Sequence, residues 1–190
     1  ATLGNSATVR TDANGYYGIP TANDSYTIVV VTDGSTIDTS SGSVFSGVTM
    51  KARAGSTAVS TATTLMVEGD LTVAQVNEVL GLSADIDHRT FNAFAAGVDA
   101  TAALAVEKAS KQFFTVVNAF TAAVEGSGTS HTDAFKTALD AVVDVIKAKA
   151  VAGNQLDFTD NTVGGDLGDI ASKVSTKLTQ HINDGGAGDI

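Results

Sequence analysis

Cysteine and tryptophan are absent from this chain, and proline occurs once. Without cysteine there are no disulfides, no thiol catalysis and no cysteine-bound zinc. Aromatic residues make up only 6% against a hydrophobic content of 43%, so the core has to be built from Ala, Val, Leu and Ile, and helices of that composition must approach closely to pack. Basic residues are also scarce. Lys and Arg total 11 against 21 Asp and Glu, a formal net charge of -10, so the average surface repels phosphate backbones and anionic headgroups, and a nucleic-acid partner is not expected. No stretch approaches the roughly 20 apolar residues that span a bilayer. What is there is 190 residues rich in Ala, Val, Thr, Ser and Gly, long enough to bury a core. The chain starts at Ala1 without Met, as expected of a matured secreted chain or an excised segment.

The hydrophobic pattern changes period once. From Ser6 to about Ala54 it is strand-like: Ala7 and Val9, then Asn14-Gly15, then Tyr17 and Ile19, then the β-branched run from Tyr26 to Val31. Asn-Gly between such runs predicts a hairpin with a type I′ turn, which needs positive φ at both central residues. Asp33-Gly34 opens a Ser/Thr/Gly loop to Gly42, and Phe45 to Ala54 reads as a fourth strand. After Gly55 the period becomes helical. A helix is expected over Thr57 to Val67, and a short one capped by Thr72 and stopped by Gly81. The longest runs from Asp99 to Gly126 with Val106, Ala109, Phe113, Val116, Val117, Phe120 and Val124 on one stripe. Ser130, with Asp133 at the capping-box position, starts another that turns Phe135, Leu139, Val142 and Ile146 inward and ends at Gly153. A last helix carries Leu167, Ile170, Val174, Leu178 and Ile182. The fold class expected is α+β: a short N-terminal antiparallel sheet over 1–55, a partial β-sandwich, followed by a larger helical bundle over 56–190, the two forming one cooperative unit.

Catalytic patterns are missing. His88, His131 and His181 share no metal-ligand spacing, and there is no H-E-x-x-H, G-x-S-x-G or phosphate-binding glycine loop; no enzyme activity and no required cofactor is expected. Calcium is the one ion the composition can serve, because it takes six to eight oxygen ligands. Asp157, Asp160, Asn161, Asp166 and Asp169 concentrate such oxygens before the last helix, and helix capping by Asp160 or Asp166 is the competing reading. The hydroxyl-rich loop from Ser35 to Ser43 could meet carbohydrate, though an aromatic platform for a sugar is poorly supplied by three Tyr; a solvated loop explains it as well.

Thr11-Asp12-Ala13-Asn14-Gly15-Tyr16-Tyr17-Gly18-Ile19-Pro20 followed by Ser25-Tyr26-Thr27-Ile28-Val29-Val30 resembles the carboxypeptidase-regulatory-like and Cna-B-like β-sandwich modules of surface proteins. The stretch Ala54-Gly55-Ser56-Thr57-Ala58-Val59-Ser60-Thr61-Ala62-Thr63-Thr64-Leu65, continuing through Leu80-Gly81-Leu82, resembles segments of very large bacterial surface adhesins. Asn183, Asp184 and Asp189 around Gly185-Gly186-Ala187-Gly188 partly resemble a calcium-binding RTX repeat, with Ile190 where its second Asp would fall. The resemblances imply an extracellular or cell-surface structural module without enzyme activity, assembling as a homo-oligomer or polymer or with neighbouring modules of a longer chain. An incomplete sheet exposes backbone donors and acceptors that another strand can satisfy. Ala7, Val9 and Arg10, and Tyr26, Ile28 and Val30, are the residues expected to carry that edge. A calcium-stabilised module binding carbohydrate or protein is the alternative.

Overall fold

The computed structural model describes residues 8–20, 25–38 and 42–183. The expected α+β order holds: a small antiparallel sheet comes first and five helices follow. β1 (Thr27–Val31) pairs with β4 (Thr49–Arg53), with Val29 opposite Lys51. Between them β2 (Ile37–Asp38) pairs with β3 (Ser43–Val44), so what reads in sequence as a loop is the far end of one long hairpin. Five residues, 32–36, face four, 45–48, between the two ladders. The odd residue is absorbed where Thr36 N–H turns back to the Asp33 carbonyl at 2.9 Å, a bulge of the kind that increases local twist.

The segment 8–20 departs from expectation. Its turn is present, but Gly15 alone takes positive φ, +79°, and Asn14 does not. Gly15 N–H reaches the Asp12 carbonyl at 3.0 Å and Asp12 N–H reaches the Tyr16 carbonyl at 2.9 Å, a three-residue loop in place of the type I′ turn. The cause is the Asp12 carboxylate, which accepts from the N–H groups of Asn14 and Tyr16 at 2.8 and 3.0 Å and holds Asn14 in the ordinary region. No strand forms on either side of this turn among the described residues. Gly18 weakens a ladder there and Pro20 cannot donate to one. Ala7 lies outside the described residues, as do Asp184 and Asp189.

α1 (Thr61–Glu68) starts four residues later than its periodicity predicts, because Ser60 and Thr63 form a reciprocal capping box. The preceding residues are held extended, Thr57 and Ala58 N–H both donating to the Arg89 carbonyl. α2 (Val73–Val79) is capped by Thr72 and Gln75, and Gly81 follows in the left-handed region at φ +64°. α3 (Ala100–Glu125) is capped by Asp99, and α4 (His131–Ala152) runs from Ser130 to a left-handed Gly153, as expected from the sequence. α5 spans Asp166–Asn183.

α4 is the hub, packing against α1, α2, α3 and α5. Ala134, Ala138 and Ala141 are fully buried on it beside Phe135, Leu139, Val142 and Ile146; the methyl side chains let neighbouring helices come close, and the larger ones fill the gaps. The hairpin shares this core through Val48, which packs with Leu65, Phe113 and the α4 residues. Phe45 meets Phe114 edge-on with ring centroids 5.4 Å apart, and Phe114 meets Phe113 likewise at 5.4 Å, an arrangement favoured by the ring quadrupoles. Lys111 on α3 pairs with Asp38. Gly47, at φ +76°, lies under His131, whose Nε2 would sit 2.2 Å from a Cβ there; glycine is required by both the backbone and the ring. The hairpin is thus fastened to the bundle along its second half.

Candidate functional site: an open sheet edge

The ladder decides which backbone groups of the hairpin are left over. Thr32 N–H donates to the Val48 carbonyl at 2.9 Å and Ala54 N–H to the Tyr26 carbonyl at 3.1 Å. In an antiparallel pair the bonded positions recur every second residue, so Ile28 and Val30 spend their backbone groups on β4. Thr27, Val29 and Val31 therefore point N–H and C=O the other way. Among the described residues nothing hydrogen-bonds to them there. The same parity turns the backbone of Lys51 away from β1, and this edge is closed: Lys51 N–H donates to Thr64 Oγ1 at 2.9 Å, and that hydroxyl also lies 3.5 Å from the Lys51 carbonyl. Lys51 Nζ is paired with Glu68 at 2.5 Å, and Arg53 donates to the Met66 carbonyl at 2.8 Å and to Asp70 at 2.5 Å. α1 thus seals one side of the two-stranded sheet and leaves the other open.

The side chains on the open strand are uncharged. Ile28 is buried and Val30 half-buried, facing the bundle, while Val29 and Val31 are 50% and 69% exposed. Of the residues expected at the edge, Ile28 and Val30 lie on the right strand but look inward. Tyr26 gives its carbonyl to Ala54, and its hydroxyl accepts from Gly55 N–H at 3.3 Å. Val9 is exposed. Arg10 reaches across to Asp33 at 3.2 Å and Ser35 at 3.3 Å, beyond the end of β1. The outward set Thr27, Val29 and Val31 was not distinguishable in sequence, because the parity of pairing depends on where the bulge falls.

Of the five oxygen-bearing residues before and at the start of α5, Asp157, Asp160 and Asp166 are committed to local structure. Asp157 accepts from Thr159 N–H and Oγ1 at 2.8 and 2.6 Å, and Asp160 from Thr162 N–H and Oγ1 at 3.1 and 2.7 Å. These bonds, to Thr159 and to Thr162, hold both carboxyls below the ordinary carboxylate range. Asp166 is 3% exposed. Its Oδ2 takes the Asp157 N–H at 2.6 Å, and its Oδ1 is ion-paired with the Lys149 ammonium at 2.5 Å. Asn161 and Asp169 are exposed. No group of three acidic or histidine side chains converges on a metal position among the described residues. The positive charge at Asp166 is the chain's own lysine, so millimolar calcium is expected to move the melting temperature by less than about 2 °C, under 1 kcal/mol for a chain of this size. A thermal-shift titration checks this, and a rise of 5 °C or more would restore the calcium reading.

His88 is 1% exposed. It lies 2.7 Å through Nε2 from Asn77 Oδ1, and Asn77 Nδ2 donates to the Ile86 carbonyl at 3.0 Å. Burial lowers its pKa to about 4, with the neighbouring Asp87 opposing the shift. The network braces the irregular segment between α2 and α3. Two surface hollows, one along Ser175, Thr176, Thr179 and Gln180 of α5 and one around Asp85, Asp87 and Phe91, are open to solvent. No helix of the described residues is long and apolar enough to cross a membrane. No protein-family description, curated protein or solved structure matches the chain.

Proposed function

We propose that the chain is a non-catalytic structural or adhesive module of extracellular or cell-surface material, joined to its neighbour through the outer edge of β1. The observation that carries this reading is the asymmetry of the hairpin. One edge is closed at Lys51 by Thr64, whereas the other presents Thr27, Val29 and Val31, whose outward backbone groups have no partner among the described residues and whose side chains are uncharged. Exposed edges of this kind are normally protected by Lys, Pro or a covering element, and β1 has neither Lys nor Pro in its five residues. The extracellular setting rests on the Cys-free, Thr/Ser/Gly/Ala-rich and acidic composition.

Val29→Pro tests the reading selectively. Val29 N–H points away from β4, so proline removes no bond of the chain's own ladder, and edge strands accept it. The variant is expected to keep its helical circular dichroism and lose no more than about 1 kcal/mol of stability, while self-association measured by light scattering disappears. Ile28→Pro, which breaks a bond to Ala52, is the unfolding control. A parent chain that stays monomeric at high concentration, or a Val29→Pro variant that associates like the parent, would overturn the proposal.

A further inference from the structure

We infer that the strand that completes the sheet is β1 of a second copy, antiparallel, about a twofold axis passing through Val29; the inference rests on the edge-assembly reading above. Outward-pointing residues can bond only to outward-pointing residues. β1 offers Thr27, Val29 and Val31, and an antiparallel copy matches all of them in one register: Val29 against Val29 of the second copy, and Thr27 against its Val31. That register makes about six backbone hydrogen bonds, two per facing pair, and a slip of two residues loses a pair. A twofold axis perpendicular to the sheet keeps the outer faces on the same side. Val29, 50% exposed, then lies beside its counterpart, and Val31, 69% exposed, beside Thr27 of the second copy, an uncharged row across the joint.

The charge distribution favours a second copy. The chain carries a formal charge of -10 and repels itself over most of its surface, but Thr27–Val31 bears no charge. The cations in the row behind, Lys51 and Arg53, are already paired with Glu68 and Asp70. A twofold contact brings each patch against itself, so an uncharged strand is the part of this hairpin that can meet its own image without repulsion.

Because the chain has no cysteine, single introduced thiols report the register. Facing Cα atoms in such a ladder lie about 5.5 Å apart, within disulfide reach. On mild oxidation Val29→Cys is expected to give a covalent dimer at least tenfold faster than Leu104→Cys, an exposed control on α3. Thr27→Cys alone gives little, and a mixture of Thr27→Cys with Val31→Cys gives the mixed dimer. If Val29→Cys fails to cross-link while Val29→Pro still abolishes association, the edge stands and the twofold register is overturned. If Val29→Cys fails and Val29→Pro has no effect, both fall. Equal rates for Val29→Cys and Leu104→Cys mean random collision and overturn the register.

Discussion

Lys149→Met is expected to lower stability by about 2–3 kcal/mol at neutral pH, because it leaves Asp166 charged, buried and without a counter-ion. Breaking a fully buried pair costs about 3–5 kcal/mol; the lower figure reflects a Lys149 side chain that is 30% exposed, through which water screens the charge. The position makes the pair more than a local contact. Lys149 lies in the last turn of α4 and Asp166 in the first turn of α5, so each charge complements its own helix dipole while tying the two helices together. Asp166 also accepts the Asp157 N–H, a bond that asparagine can keep. The double variant Lys149→Met/Asp166→Asn is therefore expected to recover at least half of the loss. Urea unfolding of the two variants checks both statements, and a single variant within 0.5 kcal/mol of the parent would mean that water reaches Asp166 freely.

Stability is expected to fall by about 2 kcal/mol between pH 7 and pH 5 through His88 alone. Its folded pKa, about 4, lies below the ordinary 6.5, so the unfolded chain binds the proton first. The contribution is complete above about pH 6.5 and is lost as pH falls towards 4, at about 1.4 kcal/mol per pH unit across that window. His88→Gln, which can still donate to Asn77 Oδ1, is expected to flatten this slope, with its own packing loss the same at every pH. Unfolding curves at pH 7, 6 and 5 for the two proteins supply the comparison. Parallel slopes would show that the imidazole is not held neutral.

Helix limits were legible where a cap and a stop coincide with a change of period. Asp99, Gly126, Ser130 and Gly153 bound α3 and α4 as read, and the stripe from Val106 to Val124 is buried except at Phe120, which packs partly buried against the core. α1 reads too long because Thr57 to Val59 continue the helical spacing, whereas the Ser60–Thr63 capping box starts the helix later and the distant Arg89 carbonyl holds Thr57 and Ala58 extended. The sheet was legible as composition but not as pairing. Both Ile28 and Val29 are β-branched, and nothing local says which one looks inward; Ala52, Val48 and the one-residue bulge settle it from across the hairpin. The acidic loop was ambiguous for the same reason. Counting its oxygens could not reveal that Lys149, seventeen residues before Asp166, supplies the cation.

The hydroxyl of Thr64 has a consequence for how far such material can extend. A ribbon that lengthens by adding strands, as in amyloid, needs a free margin on both sides, and here a helix stoppers one of them at Lys51. The sequence Thr-Ile-Val-Val-Val would be a hazard in a chain open on both flanks; in this one, raising the concentration can create more joints but no runaway stacking of sheets.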